Sequence, residues 1–155
     1  MKNRTFKWLI SGSLLLILML VMVFNVQVNP SQKDVITIGN TAYAAGVADY
    51  TCDGVNDDAQ FQQAVNALPA SGGKLFVKGG NYTFGAAVTR AIDNIIIEGD
   101  GRATYFARNG AAALFTAGGN NWIFKDLRTD AGGITMGATT GWIWENVTVN
   151  ATYYS

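Results

Sequence analysis

Three segments of this chain share one make-up: Asn94-Ile95-Ile96-Ile97-Glu98-Gly99, Asn121-Trp122-Ile123-Phe124-Lys125-Asp126-Leu127 and Gly141-Trp142-Ile143-Trp144-Glu145-Asn146-Val147. Their first residues lie 27 and 20 positions apart, a spacing that suits one coil of a solenoid per repeat. In each segment apolar residues alternate for one strand, and then Gly99, Asp126 or Asn146 intervenes. Gly, Asp and Asn tolerate the left-handed backbone region, so each of the three is expected to make a one-residue bend that resets the alternation. Ile95 and Ile97, Trp122 and Phe124, and Trp142 and Trp144 then point inward, followed by Leu127, Val147 and Val149. Ile96, Ile123 and Ile143 face out beside Glu98, Lys125 and Glu145. The reverse parity would bury the isoleucines and expose the indoles as a platform for stacking sugars. The core assignment is favoured.

Upstream, Asp53 to Phe84 reads DGVNDDAQFQQAVNALPASGGKLFVKGGNYTF. Phe61, Ala64, Val65 and Leu68 fall at i, i+3, i+4 and i+7, one stripe of a helix predicted over 57–68. Asn56 or Asp57 is placed to accept from first-turn amides, with Gln60 reaching back if Asp57 is the cap. The acids also suit the positive end of the helix dipole. Pro69 stops the helix, and Gly72-Gly73 turns the chain into the strand Lys74-Leu75-Phe76-Val77. Asp53, Asp57 and Asp58 are explained by turn and helix-start chemistry; a metal or acid/base site is the competing reading, and there is no His to complete one.

These residues resemble the opening of the pectate-lyase-like superfamily. Its members begin with a D-G-x-x-D-D-x-x-x-x-x-A helix, followed by a G-G-x-(aliphatic)-x-(aliphatic)-x-x-G-x-Y strand. The resemblance covers Ala48 to about Phe84 by motif and the remainder by rhythm. It implies an all-β fold, a right-handed single-stranded parallel β-helix, with Asp53, Asp57, Asp58, Phe61, Val65 and Leu68 forming its N-terminal cap. About four turns would fit between Leu75 and Ser155. Polysaccharide lyases, glycoside hydrolases, epimerases and phage tailspikes share such an opening, so the motif speaks for the fold and not for chemistry.

The first 28 residues have another character. Lys2, Arg4 and Lys7 form a basic n-region over 1–7, and an apolar run over 8–28 is long enough to cross a bilayer as a helix. The basic flank is expected to stay in the cytoplasm, which sends everything after it across the membrane. An uncleaved membrane anchor is favoured over a signal peptide, because the small-x-small sequence Ala42-Tyr43-Ala44 lies far past the apolar run. Residues 29–47 then read as a linker containing a strand at Val35-Ile36-Thr37-Ile38-Gly39, and 48–155 as the N-terminal part of the β-helix domain. That domain ends directly after a strand and is expected to be incomplete at its C-terminal side.

Charge bears on partners. The part after the apolar run holds eight basic and eleven acidic residues, a net charge of −3, which argues against nucleic acid. Cys52 is the only cysteine, so no intrachain disulfide forms. Asn3, Asn81, Asn146 and Asn150 each begin an N-x-Thr sequon, and since Asn and Thr are common in β turns, chance occurrence is the default account of them.

Catalysis sets stricter demands. A β-elimination lyase needs a positioned Arg or Lys base and carboxylates for calcium, and a hydrolase needs two converging carboxyl groups. The resemblance implies, for a hydrolase, an Asp-Asp pair on a middle turn with a nearby His; here the only such pair is at the helix start and there is no His. A lyase stays open, with Asp126, Asp130, Glu145, Lys125 and Arg128 on neighbouring turns, but solvated exterior charges are favoured and no catalytic, cofactor or metal residue is assigned. Lys125, Arg128 and Glu145 are candidates for glycan contact on neighbouring turns. The favoured reading is an extracytoplasmic, membrane-anchored β-helix that binds carbohydrate or a surface partner. The alternatives are the N-terminal portion of a polysaccharide lyase or glycoside hydrolase whose active site lies downstream, or a stalk or tailspike-like scaffold.

Overall fold

Short runs of alternating apolar and polar residues, punctuated by Gly, Asn and Asp, favour strands. The computed structural model describes residues 32–110, 113–130 and 133–150, and among these it has eleven strands and one α-helix. The apolar segment 8–28 and the terminal residues Ala151 to Ser155 lie outside the described residues. Among the described residues no helix is long and apolar enough to cross a membrane.

In chain order the elements are β1 (Val35–Asn40), β2 (Tyr50–Cys52), α1 (Asp58–Ala67), β3 (Gly73–Val77), β4 (Gly80–Phe84), β5 (Val88–Arg90) and β6 (Ile95–Gly99). A 3-10 turn at Gly101–Ala103 leads into β7 (Thr104–Arg108), followed by β8 (Phe115–Ala117), β9 (Ile123–Asp130), β10 (Ile134–Met136) and β11 (Ile143–Asn150). All the strand pairings are parallel. One sheet runs β2-β1-β3-β6-β9-β7-β4 with β11 also on β9, and the other runs β10-β8-β5. The domain is all-β, built of parallel sheets with a single short helix.

β9 holds the larger sheet together because it bends. Before Asp126 it pairs with β6, matching Ile96 with Ile123 and Glu98 with Lys125. Asp126 itself is left-handed, with φ of 54°, and beyond it β9 pairs with β7, matching Tyr105 with Arg128. β11 repeats the bend at Asn146, with φ of 52°, and Asn146 Nδ2 donates to Asp126 Oδ1 at 2.7 Å.

The expected bend at Gly99 has a different cause. Gly99 is not in the left-handed region; a Cβ there would collide with the Asp126 carbonyl oxygen and press on Leu127. Close stacking, not backbone freedom, requires the glycine. A second column of left-handed residues lies just ahead of the strands: Gly72, Asn94, Asn121 and Gly141, with φ of 97°, 60°, 58° and 73°. Asn121 Nδ2 donates to Asn94 Oδ1 at 3.0 Å, so the two asparagines bond to one another across the corner.

Inward and outward sides follow the alternation. Ile95, Ile97, Trp122, Phe124 and Leu127 are buried, and Ile96 and Ile123 lie half-exposed on the exterior. Trp142, Trp144 and Val149 depart from the expected core burial: they are 48%, 37% and 47% exposed. Their parity is nevertheless the inward one, since Trp144 is in register with Phe124 and their ring centroids lie 6.0 Å apart. No described strand stacks on the far side of β11, so nothing among the described residues seals them.

At the opposite end the interior is sealed by α1. Phe61 reaches into a cluster of rings, with centroids 5.5 Å from Tyr82, 4.9 Å from Phe84, 5.5 Å from Phe106 and 6.1 Å from Phe115. Edge-to-face packing of this kind adds to the burial itself. Ala64, Val65 and Leu68 complete the buried stripe.

Cys52 is buried in the same core, and desolvation, assisted by the charges of Asp57 and Asp53, pushes its thiol pKa well up. It is therefore a native reporter. Iodoacetamide at mildly alkaline pH should label Cys52 only when the domain opens. Phe61→Ala should cost about 3–5 kcal/mol of stability, read as a lower denaturant midpoint together with faster labelling. A variant that unfolds and labels like the parent would show that the ring does not hold the core together.

Candidate functional site

A parallel stack leaves unpaired N–H and C=O groups along its first edge, and these must be satisfied. Three polar side chains near α1 do so. Asp57 donates its own N–H to the Thr83 carbonyl at 2.7 Å and accepts the Thr83 N–H on Oδ2 at 2.8 Å, so it imitates a neighbouring strand for β4. Its other oxygen accepts from Gly54 N at 2.9 Å. Gln62 serves β5: Nε2 donates to the Thr89 carbonyl and Oε1 accepts the Thr89 N–H, both at 2.9 Å. Asp58 accepts from Gly85 N at 2.8 Å.

The expected capping arrangement is thereby replaced. Asp57 stands at the helix start with φ −60° and ψ −12° and makes no side-chain bond to the helix amides, because β4 and Gly54 occupy its carboxylate. Asp53 closes a local turn through Val55 N at 3.0 Å. Asp49, which the sequence did not single out, treats β1 as Asp57 treats β4: its N–H donates to the Thr37 carbonyl at 2.8 Å and Oδ2 accepts from Thr37 N at 2.9 Å. A hydrogen bond from Lys33, then the one from Thr37 N, holds the Asp49 carboxyl below its ordinary pKa.

The proposed glycan contacts fall on two exterior surfaces of β9 and β11. Lys125 and Glu145 are in register before the bend, and Arg128 comes after it. Lys125 is already engaged: its Nζ lies 3.1 Å from Glu98 Oε2, which also meets Lys74 Nζ at 3.3 Å. Glu98, Lys125 and Glu145 thus stack in register with alternating sign, and Lys74, two residues off that register, reaches Glu98 diagonally. Burial alone would raise the Glu98 pKa, but hydrogen bonds from Lys125 and Lys74 outweigh it and the net shift is downward. The bond to Glu98 likewise holds the Lys125 pKa up.

Past the bend, the Arg128 guanidinium lies 5.0 Å from the centre of the Tyr105 ring, within cation–π range. Tyr105 donates its hydroxyl to Asp130 Oδ1 at 2.5 Å, and that bond, followed by burial, raises the phenol pKa. Asp130 Oδ2 accepts from Arg108 N at 2.8 Å. Arg102 Nη1 reaches Thr148 Oγ1 at 3.4 Å on the same exterior. The surface therefore presents one aromatic ring, a planar cation and hydroxyls, all fixed by neighbours.

Such a surface can bind through stacking and hydrogen bonds. Elsewhere on the domain the Asp49 and Glu98 carboxyls are both shifted towards the ionised form. Among the described residues no group of three or more potential metal ligands comes together.

Glu98 allows a direct check of the charged column. Its folded-state pKa lies below the ordinary 4.5, so its contribution to stability is complete above that value and is lost as pH falls through the folded pKa. Denaturant midpoints measured from pH 6 to pH 3 should fall less steeply in Glu98→Gln than in the parent. Parallel curves would mean that the ladder adds nothing to folding. No family model, no curated protein and no solved structure matches this chain, so its function rests on the residues described above.

Proposed function

We propose that residues 48–155 are the N-terminal part of a right-handed, single-stranded parallel β-helix, capped by α1. In this reading it serves outside the cytoplasm as a carbohydrate- or surface-binding module without chemistry of its own. The in-register parallel stacking of β3, β6, β9 and β11 supports the solenoid. The basic residues Lys2, Arg4 and Lys7 ahead of the apolar run 8–28 support the membrane as a partner and an extracytoplasmic placement.

The observation that carries the binding role is the surface formed by Tyr105, Arg128, Asp130 and Thr148. Its aromatic ring, planar cation and hydroxyl are held in place before any ligand arrives, which lowers the entropic cost of binding an extended glycan. Lys125 and Glu145 flank that surface across the bend, and Arg128 lies within it.

A second reading makes the domain the N-terminal portion of a polysaccharide lyase or glycoside hydrolase whose active site lies on further strands. What favours it is the interior side of β11, where Trp142 and Trp144 keep the inward parity yet stay uncovered.

Affinity electrophoresis of the full chain, solubilised in mild detergent, through gels of different polysaccharides tests the binding role. At least one polysaccharide should retard it, and Tyr105→Ala or Arg128→Ala should weaken that retention about tenfold, roughly 1.4 kcal/mol. Absence of retardation by every polysaccharide at high protein concentration would sink the reading.

A further inference from the structure

On the side of the domain formed by the smaller sheet, α1 and the strands β5 and β8 enclose an open groove of about 510 Å³. Gln62 and Asn66 line it from the helix, one turn apart on a single face. Thr89 and Arg90 line it from β5, and Thr116 and Gly118 from β8 and the turn after it. Thr89 and Thr116 are in register, so two hydroxyls stand one strand spacing apart.

The polar groups here are unequally occupied. Gln62 is spent on the β5 backbone. Asn66 Oδ1 accepts from Gln62 Nε2 at 3.1 Å and from Arg90 Nη1 at 3.4 Å, which leaves the amide nitrogen of Asn66 as a donor on its other side. Arg90 has five N–H donors, and Asn66 takes one of them through a long bond. The Arg90 Nε–H is buried without an acceptor, and no carboxylate forms an ion pair with Arg90 among the described residues. Here the guanidinium carries a full charge beside an open space lined by hydroxyls and amides, with no acidic side chain in the lining.

We propose that this groove binds the phosphate or sulfate ester of a sugar, with Arg90 as its anchor. The donors come from three elements: the guanidinium on β5, the Asn66 amide on α1, and the hydroxyls of Thr89 and Thr116 on two stacked strands. Donors placed on three elements around one groove suit a tetrahedral group with three terminal oxygens better than a flat carboxylate, which two parallel N–H bonds already satisfy. The groove is much larger than a bare oxyanion and lies in the size range of sites for small organic ligands, so the ester is carried on a larger polar body. Gly118 puts no side chain into that space. The site lies on a different sheet from Tyr105 and Arg128 and does not depend on their binding a glycan.

Calorimetric titration of the full chain with glucose 6-phosphate, glucose 6-sulfate, glucuronate, glucose and inorganic phosphate tests the assignment. Glucose 6-phosphate or glucose 6-sulfate should bind at least tenfold more tightly than glucuronate and glucose, and the two esters together identify which anion is preferred. Inorganic phosphate should bind more weakly than the ester. Affinity should fall as salt is raised from 50 to 500 mM (roughly) because the contact is charged. Arg90→Gln should abolish ester binding and Arg90→Lys should retain part of it, while Arg128→Ala leaves it unchanged. Cys52 protection from iodoacetamide would show that each variant is folded. Equal binding of glucuronate and the esters, ester binding that survives in folded Arg90→Gln, or no binding of either ester at millimolar concentration would each overturn the proposal. Loss of ester binding in Arg128→Ala alone would move the anion site to the other surface and overturn it too.

Discussion

A stack of parallel strands has a first strand on every side, and each of those strands exposes hydrogen-bonding groups that no later strand can satisfy. The rest of this structure depends on how that edge is closed. Asp49, Asp57 and Gln62 close it at Thr37, Thr83 and Thr89 by presenting one donor and one acceptor at the positions a partner strand would use. Asp57 is wholly buried while doing so. Leaving a buried backbone group unpaired costs about 1–3 kcal/mol, which bears on the partly buried bond at Thr83, while the bonds at Thr37 and Thr89 are exposed. The same helix drives Phe61 into the ring cluster, so edge closure and core closure are two sides of α1.

Regularity within the stack is then maintained at the corners. The column Gly72, Asn94, Asn121 and Gly141 turns the chain into each successive strand, and Asp126 and Asn146 turn it once more in the middle of β9 and β11. A left-handed residue without a Cβ, or with a short polar side chain, is tolerated at such a corner. Asparagine adds something glycine cannot, because its amide bonds to the equivalent residue one layer away. The geometry explains why Gly141 terminates the asparagine pair: a Cβ there would collide with Asn121 Oδ1.

Much of this was legible from the residues themselves. The i, i+3, i+4, i+7 stripe located the helix, and the period-two alternation sorted Ile95 and Ile97 from Ile96, because both patterns are local consequences of backbone geometry. The bends at Asp126 and Asn146 were legible for the same reason. Gly99 was misread because a left-handed glycine and a crowded glycine look alike until the neighbouring layer is known. Asn94 and Asn121 carried a usable signal, each standing just before an apolar strand at the same place in the repeat. The exposure of Trp142 and Trp144 was not legible, since it depends on what covers β11 and not on their parity. Among the site residues, Lys125 and Arg128 were placed on the exterior, but their engagement with Glu98 and Tyr105 needed the register. The groove was invisible: it draws on residues 62, 66, 89, 90, 116 and 118, which no motif connects.

That difference in legibility has an electrostatic counterpart. The charges at Glu98, Lys125 and Glu145 alternate along one column, and Lys74 joins it diagonally. Where neighbouring layers carry opposite charges at a single strand spacing, the fields cancel within a few ångströms and little remains to attract a distant ion. Such a ladder supports the stack and is a poor attractor. Arg90 differs because the side chain it bonds, Asn66, is neutral. A lone guanidinium in a concave, acid-free wall projects an uncompensated field into the space before it. The part of the chain after the apolar run is net negative, so a lining without acidic side chains is the more telling property of the groove beside α1.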